Sequence, residues 1–434
     1  MKITHIHIER FRGFQNEDFE VGSLLTAIAG QNGTQKSTLL GIITQTFTLK
    51  TEDSMRVEKP LCGGSYISAF KDKFRLSPTF DKPKGHEWTI SFDAGMDDFT
   101  VESIKRTGDP NVRFWKKGAR QEGDGYISFP TIFLSLKRLV PVAEEAKIIT
   151  DDTLLTQEEL NEFKQLHNKI LIAQTPISSA TTITSKNKQS IGVSTELYDW
   201  NQNSMGQDNL GKIILALFSF KRLHDKYPRQ YKGGILAIDE MDATMYPASQ
   251  VELLKVLRKY ASKLNLQILF TTHSMSLLKA MDDLVQEVTK KEETANQAKI
   301  LYLKKVDDKI AIKQGVNFKG IQLDLNVVAE GNNRKKNRIT AYTEDKENIL
   351  FVKAILKSKA FVLDFVDVTL PCSTLMELVT KRVPAFIYPY SIVILDGDVR
   401  MNKNDLRKIN NADNILNALN ERCSMNDMPS ICIL

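Results

Sequence analysis

The sequence is short of several things, and each shortage removes a class of protein. No apolar run approaches the ~18 residues that a membrane-crossing helix needs, so no transmembrane helix is expected. The opening, MKITHIHIERFRGF, lacks the long apolar segment of a secretory signal, and the mature chain is expected to begin here. Only four cysteines occur (Cys62, Cys372, Cys423 and Cys432), with neither CxxC nor Cys/His spacing. That excludes a disulfide scaffold and a structural zinc site, and it fits a reducing cytoplasm. A strong charge excess is also missing: 59 Lys plus Arg against 53 Asp plus Glu leave a net charge of +6. Such a balance permits nucleic-acid contact without arguing for it. No aromatic-basic stripe marks a single-strand groove, and no heptad pattern is sustained enough for a long coiled-coil arm. What remains is a chain of 434 residues, 42% apolar and 26% charged. This is an ordinary globular composition, long enough for two to three domains of ~150 residues.

Residues 2–8 (KITHIHI) alternate, with Ile3, Ile6 and Ile8 as the apolar set, and read as a strand. Residues 24–29 (LLTAIA) form a continuous apolar run, the pattern of a strand buried on both faces of a mixed sheet. This run leads into Gly30-Gln31-Asn32-Gly33-Thr34-Gln35-Lys36-Ser37-Thr38, and LLGII follows as a helix. Strand, glycine-containing loop, Lys-Ser and helix is the setting of a phosphate loop. Backbone N–H groups at a helix N-terminus point at phosphate oxygens. Lys36 supplies a point charge to the terminal phosphates, and Ser37 offers a hydroxyl to Mg²⁺. One position departs from the pattern, because Gln35 stands where glycine precedes the lysine. A Cβ there presses on the phosphate or forces a strained backbone, so binding is expected and fast hydrolysis is not. Read alone, the stretch also fits a glycine-rich turn that caps a helix; the downstream motifs argue against that.

Residues 233–240 read GGILAIDE. Ile235–Ile238 has the character of a buried strand, which sets Asp239 at its end as a magnesium-ordering carboxylate and Glu240 as the general base that polarises water. The plainer reading is a strand with an acidic cap. A further apolar strand, LQILF (266–270), is followed by Thr271-Thr272-His273-Ser274. His273 there is placed to sense a terminal phosphate, although a lone histidine is more often a surface residue. Between the two halves, Asn203-Ser204-Met205-Gly206-Gln207-Asp208 opens the apolar helix Leu210–Leu223. Ser204, Gly206 and Gln207 either cap that helix or form a second anion site at its start. A second, separate phosphate-binding helix start makes sense when two copies sandwich one nucleotide.

The ordered set resembles the ABC-type ATPase heads of the RecF/SMC/OLD group over roughly residues 1–320. Arg10-Phe11-Arg12-Gly13-Phe14 is similar to that group's opening FRGF segment. Gly30–Ser37 is similar to Walker A, Ser204–Gln207 to the signature motif, Ile235–Glu240 to Walker B, and His273 to the switch histidine. Met245-Tyr246-Pro247 is similar to the Leu-His-Pro of many such heads, and Lys137-Arg138, at the end of the apolar run 129–139, face the site in related heads. The resemblance implies ATP and Mg²⁺ as ligands. It implies a head-to-tail homodimer, or a multiple of it, in which Gly30–Ser37 of one copy and Ser204–Gln207 of the other enclose the nucleotide.

The stretch between about 45 and 200 is read as a side sheet with a helical insertion. HEWTISFD (86–93), FTVESIKRT (99–107) and VRFWKK (112–117) form an antiparallel side sheet. Residues 155–173 form a helix with Thr156 and Glu159 as a capping box. The Ser/Thr-rich segment 174–195 is expected to be a surface loop. After His273, a charged helix (279–299) precedes a hairpin-like pair, ILYLKK and KIAIKQ, joined by Val306-Asp307-Asp308. The expected ATPase domain spans 1–330. The basic stretch 331–338 is expected as a solvated linker, with a phosphate-backbone contact through Arg334, Lys335, Lys336 and Arg338 as its functional alternative.

From 339 to 434, strands and helices alternate, which implies a smaller α/β unit with a parallel sheet. Carboxylates fall at strand ends, Glu344 after the first and Asp396 and Asp398 after the third, where strand C-termini converge. Such a trio can hold Mg²⁺ or Mn²⁺, or be no more than an acidic turn beside a helix cap at Asp345. The unit is similar to the Toprim module of OLD-type nucleases, with Glu344 as its glutamate, Asp396 and Asp398 as its DxD and Lys403 as a loose candidate beside a scissile phosphate. The chain stops within the apolar strand 430–434, so a truncated or reduced module, with its nuclease competence in question, is expected. Taken together, the chain most resembles the PtuA-like ATPases of Septu and retron-linked antiphage systems. This resemblance implies a cytoplasmic ATPase whose dimer gates a separately encoded HNH-type nuclease. The alternatives are an OLD-like DNA nuclease acting at Glu344, Asp396 and Asp398, and a RecF-like repair ATPase.

Overall fold

A computed structural model describes residues 1–66, 73–93, 95–105, 112–119, 124–136, 149–151, 154–184, 189–331, 339–357, 360, 363–381, 383, 386, 391–396 and 431–433. The chain divides into two compact units, Met1–Leu325 and Asn326–Leu434. In chain order the first unit opens with β1 (Ile3–Phe11), β2 (Phe14–Glu20), β3 (Leu25–Gly30), α1 (Lys36–Thr44) and β4 (Phe47–Thr48). Next come β5 (Glu87–Phe92), β6 (Phe99–Lys105), β7 (Val112–Lys116), β8 (Ile127–Ser128), β9 (Thr131–Leu134), β10 (Ile149–Asp151) and α2 (Gln157–Leu171). It continues through β11 (Ser179–Thr184), β12 (Gln189–Ser194), α3 (Met205–Lys226), β13 (Gly234–Ile238), α4 (Pro247–Lys263) and β14 (Leu266–Thr272). The unit closes with α5 (Met275–Thr289), β15 (Ala298–Val306) and β16 (Lys309–Gln314); a further helix, α6 (Phe318–Gly331), crosses the boundary.

The central sheet has six strands in the order β16-β15-β3-β14-β13-β9. Every pairing in it is parallel except the β15–β16 hairpin, so the sheet is mixed. Its inner strands β3, β14 and β13 are buried on both faces, and alternate residues feed two cores. Leu25, Ala27, Leu236, Ile238, Ile268 and Phe270 join the core formed with α2, α3, α4 and α5. Ile28, Ile235, Ala237 and Leu269 join the opposite core, where Leu39, Leu40, Ile42 and Ile43 of α1 meet the side sheet. That side sheet is antiparallel with the order β2-β1-β5-β6-β7. It holds the three strands expected from 86–117 and adds the N-terminal hairpin. Its inner face is aromatic: Trp88 and Phe114 lie edge to face with ring centroids 5.2 Å apart, and Phe11 packs on both.

Helix α2 begins at Thr156 with both halves of the expected capping box, Glu159 N–H to Thr156 Oγ1 and Thr156 N–H to Glu159 Oε2. The segment 174–195 corrects the expectation. Rather than a surface loop, it contains the antiparallel pair β11–β12, which joins β10 in a three-stranded sheet. Ile183, Ile191 and Val193 are buried there, and Ile191 and Val193 enter the α3 core. Ser and Thr raised the turn signal, but Ile191 and Val193 on one face of β12, with Ile183 buried on the other face of the pair, were enough to anchor a sheet. Among the described residues, no helix is long and apolar enough to cross a membrane.

The second unit runs β17 (Ile339–Thr343), α7 (Lys346–Leu356), β18 (Leu363–Phe365), α8 (Cys372–Thr380), β19 (Ser391–Leu395) and β20 (Ile431–Ile433). Its four strands lie in the order β18-β17-β19-β20, all parallel as the alternation implied. Leu375, Met376 and Val379 of α8 pack on Val393 and Leu395, and Val352 of α7 packs with Ala341, Leu363 and Ile394. The expected helix 402–420, with Lys403, lies outside the described residues, as do Lys137, Arg138, Arg334, Lys335, Lys336, Arg338 and Asp398.

Candidate functional site

The site lies at the C-terminal ends of β3, β14 and β13, three adjacent parallel strands. Parallel strands send their C-termini to one edge, which is where open α/β sheets collect ligand groups. β3 ends at Gly30 and α1 starts at Lys36, so Gln31–Gln35 is the connecting loop. Thr34 Oγ1 ties this loop to the Gln31 carbonyl at 2.8 Å, while Asn32 and Gly33 stand exposed. Lys36 is buried, and its Nζ donates to the carbonyls of Gly30 (3.2 Å) and Gln31 (3.1 Å). Burial lowers its pKa, and the nearby Glu240, Asp239 and Asp242 charges oppose that shift. The ammonium is therefore folded over the loop, at the N-terminus of α1, where orphan N–H groups of Lys36, Ser37 and Thr38 favour an anion.

Gln35 shows the strain its position foretold. It is the N-cap of α1 at φ 62° and ψ 33°, in the left-handed region where glycine is at ease, and its side chain makes no capping bond. That side chain lies against the Arg12-Gly13 turn. A Cβ at Gly13 would stand 2.9 Å from Gln35 Nε2 and 2.7 Å from Ile310 Cγ1, so the turn's glycine lets the loop approach. Gln35 Oε1 is buried without a hydrogen-bond partner. Arg12, beside it, donates from Nε and Nη2 to the two Asp81 oxygens, both at 3.1 Å.

The loop and the acidic strand end meet directly. Ser37 Oγ donates to Asp239 Oδ1 at 2.8 Å, and Thr271 Oγ1 donates to the same oxygen at 2.7 Å. Thr271 Oγ1 also accepts from the Glu240 N–H at 2.6 Å. Glu240 sits at φ 50°, a turn that lifts its side chain off the strand line. His273 Nε2 lies 3.5 Å from Glu240 Oε1, and the His273 N–H donates to Asp242 Oδ1 at 3.3 Å. Lys36, Ser37, Asp239, Glu240 and His273 thus form one constellation from three strand ends. A hydroxyl and a carboxylate oxygen within hydrogen-bond distance are a donor set that suits a hard cation such as Mg²⁺.

Ser204, Gly206 and Gln207 occupy the start of α3. Ser204 is an exposed N-cap with a full capping box: Gln207 N–H to Ser204 Oγ at 3.3 Å and Ser204 N–H to Gln207 Oε1 at 2.8 Å. Gln207 Nε2 is held by Tyr198 Oη at 2.8 Å. Gly206 lets the helix start touch the loop after β13, because a Cβ there would be 2.5 Å from the Thr244 carbonyl oxygen. Among the described residues, Ser204 makes no hydrogen bond to its own chain's phosphate loop. Pro247 is the first residue of α4, and Tyr246 Oη donates to the Leu171 carbonyl at 2.5 Å.

Glu344 and Asp396 follow the C-terminal ends of β17 and β19, adjacent strands in which Thr343 pairs with Ile394. Glu344 Oε1 accepts from the Cys372 N–H at 3.1 Å, and Asp345 caps α7 through the Asn348 N–H at 2.9 Å. Among the described residues, no group of three His, Cys, Asp or Glu side chains is placed to hold a metal. Sequence reasoning missed Thr271, Asp242, Gln250 and Tyr198. Gln250 Nε2 donates to the carbonyls of Met245 (2.7 Å) and Asp242 (3.2 Å), holding the loop after Glu240. A buried polar residue inside an otherwise apolar helix face was the available signal.

Residues 136–278 match the family model of an AAA ATPase domain. The match spans Ser204–Gln207, Asp239, Glu240 and His273. No curated protein matches the sequence. Among solved structures, an SMC head domain from Thermotoga maritima is 14% identical, with a TM-score of 0.40, covering 73% of this chain and 100% of that one. An Smc head domain with an extended coiled coil, bound to the C-terminal domain of ScpA and derived from Pyrococcus furiosus, is 13% identical, with a TM-score of 0.41 and coverage of 76% and 99%. The recombination mediator RecF bound to ATP is 13% identical, with a TM-score of 0.37 and coverage of 72% and 97%. The family match supports an ATPase domain in this chain, lying in its first unit.

Proposed function

We propose that this chain is an ABC-type ATPase of the RecF/SMC/OLD group that binds ATP with Mg²⁺ and works as a nucleotide-gated dimer. The observation that carries this reading is the bond from Ser37 to Asp239, with Thr271 and Glu240 attached. In it, Lys36 binds the terminal phosphates and leaves its two loop carbonyls to do so. Ser37 and Asp239 hold the cation, and Thr271 fixes the carboxylate that does this. Mg²⁺, when bound, supplies charge neutralisation at the phosphate oxygens. Glu240 orients water and takes up its proton at the carboxylate, and His273 keeps contact with Glu240. Ser204 and Gly206 present the α3 N-terminus to a nucleotide held by a second copy. The strained Gln35 damps turnover, which makes the nucleotide a held ligand more than a fuel.

The motif order, most like that of PtuA-like proteins, supports a place in an antiphage defence complex, with the dimer's shape controlling a partner HNH-type nuclease in the cytoplasm. ATP and Mg²⁺ should add a self-association step to the purified chain by light scattering, Glu240→Gln should retain that step, and ATP should turn over slowly. Rapid steady-state turnover abolished by Glu240→Gln would contradict the held-ligand version. Absence of ATP binding would remove the whole reading. The adjacency of the Glu344 and Asp396 strand ends favours a second reading, an OLD-like nuclease with a Toprim-like module. Metal-dependent nicking of DNA by the isolated chain, lost in Asp396→Ala, would support it. A RecF-like repair role predicts ATP-dependent DNA binding without any nuclease partner.

A further inference from the structure

Helix α7 carries a surface that neither its own core nor nucleotide binding uses. Asn348 and Val352 are buried against the sheet. Elsewhere on the helix, Leu350, Phe351 and Ile355 are 67%, 61% and 67% exposed, and Ala354 is exposed as well. At 3.6 residues per turn, 350, 354, 351 and 355 fall side by side in one stripe about 140° wide. Single exposed apolar residues are ordinary, but a contiguous stripe on one helix marks an interaction surface. Glu347 lies at the N-terminal end of the stripe, and Lys357 flanks its C-terminal end. Both are exposed, and no ion pair or hydrogen bond ties either side chain among the described residues. The other nearby cations are engaged: Lys346 pairs with Asp367 at 3.1 Å, and Lys353 Nζ sits 5.4 Å from the Phe365 ring centre.

The stripe matches itself when turned end for end. Laid antiparallel about a two-fold axis, Leu350 of each copy packs beside the small Ala354 of the other, and Phe351 beside its Ile355. Glu347 then reaches the C-terminal turn of the other helix, where Lys357 stands, and opposite helix-dipole ends are brought together. Parallel packing would instead set Glu347 on Glu347. A two-fold contact demands this kind of self-complementary patch. We propose that α7 is a homotypic docking surface on which the α7 of a second copy of this chain packs antiparallel. The contact needs no nucleotide and is independent of the proposed closure at Ser204. A chain with both contacts builds assemblies larger than a dimer.

The test uses the full chain without nucleotide and with EDTA, followed by light scattering over a concentration series. The expected result is a dimer whose dissociation constant rises at least tenfold in Phe351→Asp/Ile355→Asp, with an unchanged melting temperature. Glu347→Lys should weaken the dimer, and Glu347→Lys combined with Lys357→Glu should restore it. Under mild oxidation Ala354→Cys should crosslink beyond the wild-type background, and Lys353→Cys should not. A nucleotide-free monomer, a dimer indifferent to the aspartate pair, or equal crosslinking at 353 and 354 would overturn the proposal.

Discussion

Ser37 and Asp239 are joined by a 2.8 Å hydrogen bond across 202 positions of sequence. Asp239 Oδ1 accepts a second bond from Thr271 on the intervening strand, so this one carboxylate oxygen is held by two donors. Replacing Asp239 by Asn keeps an acceptor oxygen for the two hydroxyls but removes the carboxylate charge that a hard cation needs. We expect Asp239→Asn and Ser37→Ala each to weaken ATP binding in Mg²⁺ at least tenfold, about 1.4 kcal/mol, with little change in EDTA. Calorimetric titration in the two buffers reads this difference. Equal losses in both would show that the pair serves the fold and not the cation.

Gln35 holds a left-handed backbone at φ 62°. For a residue with a Cβ this conformation costs roughly 1–2 kcal/mol, which glycine avoids. We expect Gln35→Gly to raise steady-state ATP turnover several-fold without loss of affinity. Unchanged turnover would rule out Gln35 as the brake.

Gly206 lies where a Cβ would come within 2.5 Å of the Thr244 carbonyl oxygen. That atom is backbone and cannot swing aside. Gly206→Ala should therefore cost about 1–3 kcal/mol of stability, as overpacking does, read by urea denaturation. It should also abolish nucleotide-driven dimerisation by displacing the helix start. Ser204→Ala removes only a cap, worth ~1 kcal/mol. If both variants dimerise normally with ATP, the α3 start has no part in closing on a nucleotide.

His167 is buried in α2 beside Phe163, and burial, opposed only by the neighbouring Asn168 side chain, lowers its pKa to about 4. The unfolded chain, near the ordinary value of 6.5, binds this proton first. Its stability contribution is therefore complete above pH 6.5 and is lost as pH falls toward 4, amounting to roughly 3 kcal/mol. His167→Leu should flatten the melting temperature between pH 6.5 and 4 and raise it at pH 7. Parallel pH profiles for the two proteins would count against the assignment.

Much of this molecule is legible in local pattern. The runs LTAIAG, GILAI and LQILFTT are apolar enough to be strands covered on both sides, and each became one. The capping boxes at Thr156/Glu159 and Ser204/Gln207 formed as spelled, because a cap closes within four residues of chain. The strands Ser179–Thr184 and Gln189–Ser194 were not legible. Their serines and threonines look like turn residues until Ile191 and Val193 find the α3 core.

The sequence by itself determined where strands end and which chemical groups wait there, since hydrophobic period and the residue after each run are local properties. Tertiary structure alone decided that Thr271 would bridge Asp239 and Glu240, that Gln250 would hold the loop behind them, and that Gly13 would make room for Gln35. Those outcomes depend on which atoms, far apart in the chain, arrive within about 3 Å of one another. Strand order sets that, and no single segment encodes it.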